Sequence, residues 1–229
     1  MNEMSKWLKS ARLVAALLLG SLALSPAQAT ESLPAPGTYT LPRIQQAPRA
    51  SFLDANGASV WSDEKMRGAL TVLGFFYGHC EDATGCPVAW SVFESVRDAA
   101  GRDPLLAGRL RLVFVSIDPQ RDTPAVLRLL ETSEKAADGA IPWLFLTSAS
   151  EASLAPFLKA MGQNVGHEVD ANGRRTGALQ HMLKVFLLDP EGWVREIYST
   201  GFLTPEAVLN DARTLALTSD RSRGQVEPR

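Results

Sequence analysis

The chain has little cysteine, little histidine and few aromatic residues. Its 229 residues hold two cysteines and three histidines, and Phe, Trp and Tyr together make 7%. Two cysteines cannot supply the dense disulfide framework of a small secreted scaffold, and a chain of this length with 45% hydrophobic residues needs none to fold. No apolar run reaches the roughly 20 residues that span a bilayer. No block of basic residues tracks a phosphate backbone, so nucleic-acid binding is not expected. No internal repeat is present.

The first segment reads as an export signal. Lys6, Lys9 and Arg12 precede an apolar stretch from Leu13 to Leu24, and Ala27-Gln28-Ala29 follows Pro26 as a small-x-small cleavage site. Residues 1–29 hold no cysteine, so a lipid anchor is not expected, and an uncleaved membrane anchor is the weaker alternative. Removing them takes away three basic residues and Glu3, which moves the formal charge from −2 to −4. Two cysteines in an exported chain become oxidised unless a reductant or a metal holds them.

Both cysteines fall in one run, Thr71 to Trp90, TVLGFFYGHCEDATGCPVAW. Its first part is continuously apolar, as in a strand buried on both faces. After Pro87, VAWSVFESV has helical spacing. The thiols of Cys80 and Cys86 therefore stand at a strand-to-helix turn, at the carboxyl end of a strand, where open α/β sheets keep their chemistry. Pro87 suits the first turn of a helix, which puts Cys86 near its positive end. That position favours a thiolate. Glu81 and Asp82 oppose it for Cys80, so the pair is expected to be unequal. Residues six apart on a helix diverge, so the two sulfurs meet only if the C-x5-C spacer is a loop, which Gly85 permits. A small structural disulfide, a redox pair and a pair of metal ligands all remain open at this point.

The rest of the chain alternates strands and helices. Residues 30–49 are proline-rich and read as an extended lead segment. Asn56-Gly57 marks a hairpin. Arg109–Asp118 is a second buried strand, and Thr123 caps a helix that Pro124 opens. Trp143–Ser148 is a third strand, and the helix after it stops at Gly162. Gln163 to Gln180 reads as a long polar loop, of the kind that is usually functional or mobile. Met182 to Thr200 is a hairpin about Asp189-Pro190-Glu191-Gly192, and Thr204 caps a last helix. Residues 50–218 make the domain and 219–229 a flexible tail. This order predicts an α/β fold, a mixed sheet with helices on both faces and an added N-terminal hairpin. A thiol pair at the first strand-to-helix turn points to a thioredoxin-like arrangement.

The three histidines differ in setting. His79 abuts Cys80 and is expected to point away from it. His167 lies in the polar loop and is expected to be solvated. His181 stands at a strand entry. Met182 beside it is expected in the core rather than at a metal. Two thiolates and one imidazole form a soft set that suits copper in either oxidation state and falls one ligand short of structural zinc.

Four segments resemble the SCO/SenC family of copper-handling proteins. They are SFLDANGASVWSDEKMRGALTVLGFFYGHC, the HC…CP of residues 79–80 and 86–87, VFVSIDPQRDTP of residues 113–124, and His181 with MLKVFLLDPEG after it. The resemblance spans about Ser51 to Tyr198. It implies a thioredoxin-like fold that binds one copper, Cu(I) or Cu(II), through Cys80, Cys86 and His181. It also implies a metallochaperone that delivers copper to the dinuclear copper subunit of cytochrome c oxidase, or maintains that subunit's thiols, near the periplasmic membrane surface. In the family three residues separate the cysteines, where this chain has five. Gln180 and Met182 stand where the family has Asp and a small hydroxyl residue. Asp118, Arg121 and Asp122 are expected to shape the neighbouring turn without binding metal. The alternative reading is a periplasmic thiol–disulfide oxidoreductase in which Cys80 and Cys86 are catalytic and no metal is held.

Overall fold

The computed structural model describes residues 33–80, 82, 85–134 and 141–224, with the side chains of 222–224 excepted. The export signal read at residues 1–29 lies outside the described residues. Leu33 onward forms a compact unit.

The apolar run Leu70–Phe76 is strand β4, buried along its whole length, counting β1 as Gln45–Gln46, β2 as Ser51–Leu53 and β3 as Ser59–Trp61. It is followed by a helix at Cys86–Gly101 and by strand β5 at Leu110–Ser116. A short helix α1 at Ser62–Met66 makes that longer helix α2. Then come α3 at Pro124–Ser133, β6 at Trp143–Leu146 and α4 at Glu151–Ala160. Strands β7 at Val165–Val169, β8 at Arg175–His181, β9 at Lys184–Leu188 and β10 at Trp193–Ser199 precede α5 at Pro205–Gly224. The main sheet runs β1-β10-β9-β4-β5-β6. Strands β4, β5 and β6 are parallel, and β9 lies antiparallel to β4. This is the mixed α/β, thioredoxin-like arrangement the sequence predicts.

Alternation along β4 explains why helices cover both faces. Phe75 meets Phe157 of α4 and Phe186 of β9. Phe76 points the other way, onto Trp90 of α2 and Phe114 of β5. Phe93, Phe114, Trp143 and Phe145 complete that aromatic layer. Gly74 pairs with Phe114, and a Cβ there would stand 2.5 Å from the Phe114 ring and 3.0 Å from Phe93. Gly74→Ala should therefore cost about 1–3 kcal/mol through overpacking. Urea denaturation reads this as a lower midpoint at an unchanged slope, and an unshifted midpoint would show that the layer yields freely.

Three segments differ from the sequence reading. The lead segment is extended but sewn to the domain. Leu41 is buried, β1 pairs with β10, and Tyr39 bonds Asp211 and Asn210 of α5. Helix α5 runs on to Gly224, into the stretch read as a tail. The supposed long loop is a two-stranded hairpin, β7–β8. Its turn is closed by Asp170, whose Oδ1 accepts from the N–H groups of Asn172 and Arg174, while Gly173 takes φ +76°. Among the caps, Thr204 accepts from the Ala207 N–H at 3.2 Å as expected. Thr123 stands at its N-cap position, but its hydroxyl makes no capping bond.

Candidate metal centre

Strand β4 delivers the thiols. After Phe76 the chain turns at Tyr77 and Gly78, and the Cys80 N–H bonds the Tyr77 carbonyl at 3.2 Å. Asp122 holds this turn from the β5–α3 connection. Its carboxylate accepts from the Gly78 N–H, with both oxygens at 3.1 Å, and from the Ser116 hydroxyl at 2.5 Å. A Cβ on Gly78 would lie 2.8 Å from Asp122 Oδ1, so glycine is required for this approach. Asp122 is fully buried, and burial pushes its carboxyl above the ordinary range. It is structural, as the sequence reading held, and so is Arg121. The Arg121 guanidinium donates to the Gly177 carbonyl at 2.8 Å and so ties the thiol end of the sheet to β8.

The β7–β8 hairpin delivers the imidazole. Tyr77 donates its hydroxyl to the Leu179 carbonyl at 3.3 Å. Two residues further, on the last position of β8, His181 reaches Cys86. The His181 Nε2 to Cys86 Sγ distance is 3.9 Å. The Tyr77 ring stands edge-on to the imidazole, with centroids 6.0 Å apart. Cys80 lies within hydrogen-bonding reach of the Cys86 thiol. Both thiols are free. Cys80, His181, Tyr77, His79 and Arg121 open onto one cavity of about 680 Å³. A cavity of about 700 Å³ at the opposite end of the sheet, between Leu70, Arg109 and Leu215, is lined by neither thiol nor imidazole.

Cys86 is the first residue of α2, as expected, but its acidity is not what the helix dipole predicts. At 6% exposure, burial is the main cause that pushes its thiol up to about 12. The ordinary value is 9.0, and the neighbouring Cys80 thiol adds to the rise that burial leads. The dipole supplies about 0.3–1 kcal/mol at a helix end, so burial wins. The thiol stays protonated until something displaces its proton. Alkylation by iodoacetamide should therefore mark the half-exposed Cys80 first and Cys86 only after unfolding, as peptide mass mapping would read. Equal labelling of the two in the native protein would contradict this ordering.

Burial also lowers the His181 pKa. The half-buried ring is thus neutral at ordinary pH, with a lone pair for a ligand. Sequence reading missed the residue that orients it. Gln163, 2% exposed, sets its Nε2 3.4 Å from His181 Nδ1 and donates to the Met182 carbonyl at 2.9 Å. The partner of the ring nitrogen is thus an amide from the end of α4. Met182 itself is 64% exposed, not core, because only its backbone is held. His79 lies near enough to act electrostatically on Asp122. His167 sits on β7 and pairs with Glu151 at 3.4 Å, where a solvated ring was expected.

Among the described residues, no three His, Cys, Asp or Glu side chains form a ready metal cage. The structure brings Cys86 to His181 and Cys80 to Cys86. Donors bonded to one ion at lengths like those of zinc sites sit roughly 3.5–4 Å apart, so the sulfur–nitrogen pair already has near-bonding separation.

The SCO1/SenC family profile matches residues 44–217. The chain belongs to the SCO1/SenC family. A SCO2-like protein of Rickettsia prowazekii is 25% identical over 112 residues, 48% of this chain. The chain spans about half the length of that curated relative, 52%. Copper-bound ScoI of Bradyrhizobium japonicum has 24% identity and a TM-score of 0.59, over 75% of this chain and 100% of that one. Copper-bound ScoI of Arabidopsis thaliana has 18% identity and a TM-score of 0.60, over 76% of this chain and 99% of that one. These SCO-type structures share the fold of this SCO1/SenC member, including the sheet that carries its thiol turn. Among the described residues, no helix is long and apolar enough to cross a membrane.

Proposed function

We propose that this chain binds one copper ion through Cys80, Cys86 and His181 and hands it to a client copper protein. The dinuclear copper subunit of cytochrome c oxidase is the client that family membership favours, with residues 1–29 serving export to the periplasm. One observation carries the reading: an imidazole from β8 stands 3.9 Å from a thiol on α2, 95 residues away in sequence. Hydrogen bonding through a neutral ring accounts for a close contact, but not for a second thiol, Cys80, that shares the cavity with the imidazole.

The donor set fits the cargo. Two sulfurs and a neutral ring nitrogen suit copper in either state, and three ligands leave room for a client thiolate. Handover then proceeds by ligand exchange. The client sulfur bonds the ion as Cys80, the more exposed ligand, lets go. The Tyr77 and Gln163 contacts hold the ring in place meanwhile.

The decisive experiment titrates the reduced, exported protein with Cu(I) against a competing chelator. One equivalent held by wild type and lost in His181→Ala supports the reading. Equal binding by both, or by neither, rejects it. The oxidoreductase alternative has its own readout, a dithiol potential near that of thioredoxin at about −270 mV together with turnover of a disulfide substrate.

A further inference from the structure

The chain holds two Asn-Gly pairs, Asn56-Gly57 and Asn172-Gly173, and both stand in the same four letters, DANG. Asparagine is chemically labile, and glycine after it leaves the backbone nitrogen free to reach the side-chain carbonyl. The two folded turns are near copies. The Gly57 N–H bonds the Asp54 carbonyl at 2.9 Å, and the Gly173 N–H bonds that of Asp170 at 2.9 Å. The glycines take φ +78° and +76°. Local conformation does not separate the pairs, so what differs is the support behind each turn. The first turn is braced. Ala55 is 2% exposed, and its carbonyl accepts from Arg128 of α3, from Nε at 3.2 Å and from Nη2 at 3.1 Å. A Cβ on Gly57 would lie 3.9 Å from Pro124. The second turn stands in solvent. Ala171, Asn172, Gly173 and Arg174 are all exposed, and a Cβ on Gly173 would meet no described residue within 4 Å. The Asp170 carboxylate bonds the Asn172 side chain and Arg174 Nε, the latter at 3.1 Å, but in solvent such contacts hold little.

In the closed turn the aspartate carbonyl holds the glycine N–H, so reaction waits on local opening. Once the turn is open, the glycine nitrogen gives its proton to hydroxide and attacks the asparagine side-chain carbonyl carbon. A new C–N bond closes a cyclic imide, the bond to the side-chain nitrogen breaks, and that nitrogen leaves as ammonia. Water then opens the imide at either carbonyl and leaves aspartate or its backbone-lengthened isomer. Water is the one co-reactant, and no electrons change hands. We propose that Asn172 is a site of spontaneous deamidation at the tip of the β7–β8 hairpin, and that Arg128 shields its twin, Asn56. The rate follows the population of the open turn. A part-buried hydrogen bond from a charged donor shifts such an equilibrium roughly 10-fold or more. Conversion adds a negative charge next to Arg174 and Arg175, and the isomer adds a carbon to the backbone of the turn. The Arg121–Gly177 and Tyr77–Leu179 bonds lie between this tip and His181, so the ring keeps its place beside Cys86. The inference goes beyond the copper reading and stands without it.

Prolonged incubation of the reduced, exported protein at pH 8, sampled by peptide mass mapping, tests this directly. In the folded protein Asn172 should convert at least about 10-fold faster than Asn56. In the urea-unfolded chain the two should convert alike, because their neighbours in sequence are nearly the same. In folded Arg128→Ala the Asn56 rate should rise about 10-fold, toward that of Asn172, while the Asn172 rate stays put. Equal rates in the folded wild type, a faster Asn56, or no conversion of Asn172 while the unfolded chain converts would each overturn the proposal. So would an Asn56 rate that Arg128→Ala leaves unmoved. If Arg128→Ala does not fold, the ratio of the two rates in wild type, folded against unfolded, decides alone.

Discussion

Replacing Cys86 with serine should lower Cu(I) affinity at least about 1,000-fold. A hydroxyl keeps nearly the same shape, but it is a hard, neutral donor where the soft thiolate was. Cys86 is buried against both partners, so its loss would remove the centre of the proposed site, whereas Cys80→Ser would remove a proposed ligand at the cavity rim. The same thiol sets the pH dependence. Its raised value, about 12, keeps it protonated in the metal-free protein, so binding must expel that proton. The lowered His181 is already neutral and releases none. Apparent affinity should therefore rise about 10-fold per pH unit between pH 7 and 9 from Cys86 alone. Stability of the metal-free protein runs the other way. A thiol whose folded value is raised contributes fully below its ordinary 9.0, and that contribution is lost as pH rises toward about 12. A pH-independent affinity would mean that Cys86 is not the ligand.

Asp122→Ala should destabilise the fold by about 3 kcal/mol, the cost of stranding a buried hydroxyl and a backbone N–H. The residue anchors Gly78, two positions from Cys80, so the thiol turn should loosen as well. Thermal unfolding reads the first effect, and faster alkylation of Cys80 reads the second. The native carboxyl is raised by burial, so its contribution to stability declines as pH rises through its native value. Asp122→Asn removes the charge yet keeps an acceptor, and should cost less than the alanine change. A silent alanine variant would show that the turn holds itself.

The sheet was legible because its strands are buried on both faces. Leu70–Phe76 and Leu110–Ser116 are nearly uninterrupted apolar runs, and nothing else of that length competes with a central strand. The β7–β8 hairpin was not legible by that route, since its strands are polar and exposed. Its turn nonetheless carries a signal. Asp170-Ala171-Asn172-Gly173 repeats the letters of Asp54-Ala55-Asn56-Gly57, which was read as a hairpin. Both turns use the Asp side chain to accept from two following N–H groups, with the glycine at positive φ. Asp189 does the same before Gly192. One local chemistry thus closes three hairpins.

The candidate site divides in the same way. Cys80 and Cys86 announced themselves by their rarity and by the strand-to-helix turn. Family likeness supplied His181, since no local pattern ties it to thiols 95 positions away. Gln163 had no signal, because an amide at a helix stop is ordinary until the fold brings the imidazole beside it. The acidity of Cys86 was misjudged for a related reason. Its helix position is local and visible, whereas the burial that outweighs it comes from the folded core.

X-ray absorption at the copper edge of the reduced, Cu(I)-loaded protein tests the central claim most directly. Wild type should show two sulfur neighbours and one imidazole nitrogen, with the imidazole scattering lost in His181→Ala and one sulfur lost in Cys80→Ser. A copper held by light atoms alone, or a spectrum unchanged by either substitution, would place the ion elsewhere and contradict it.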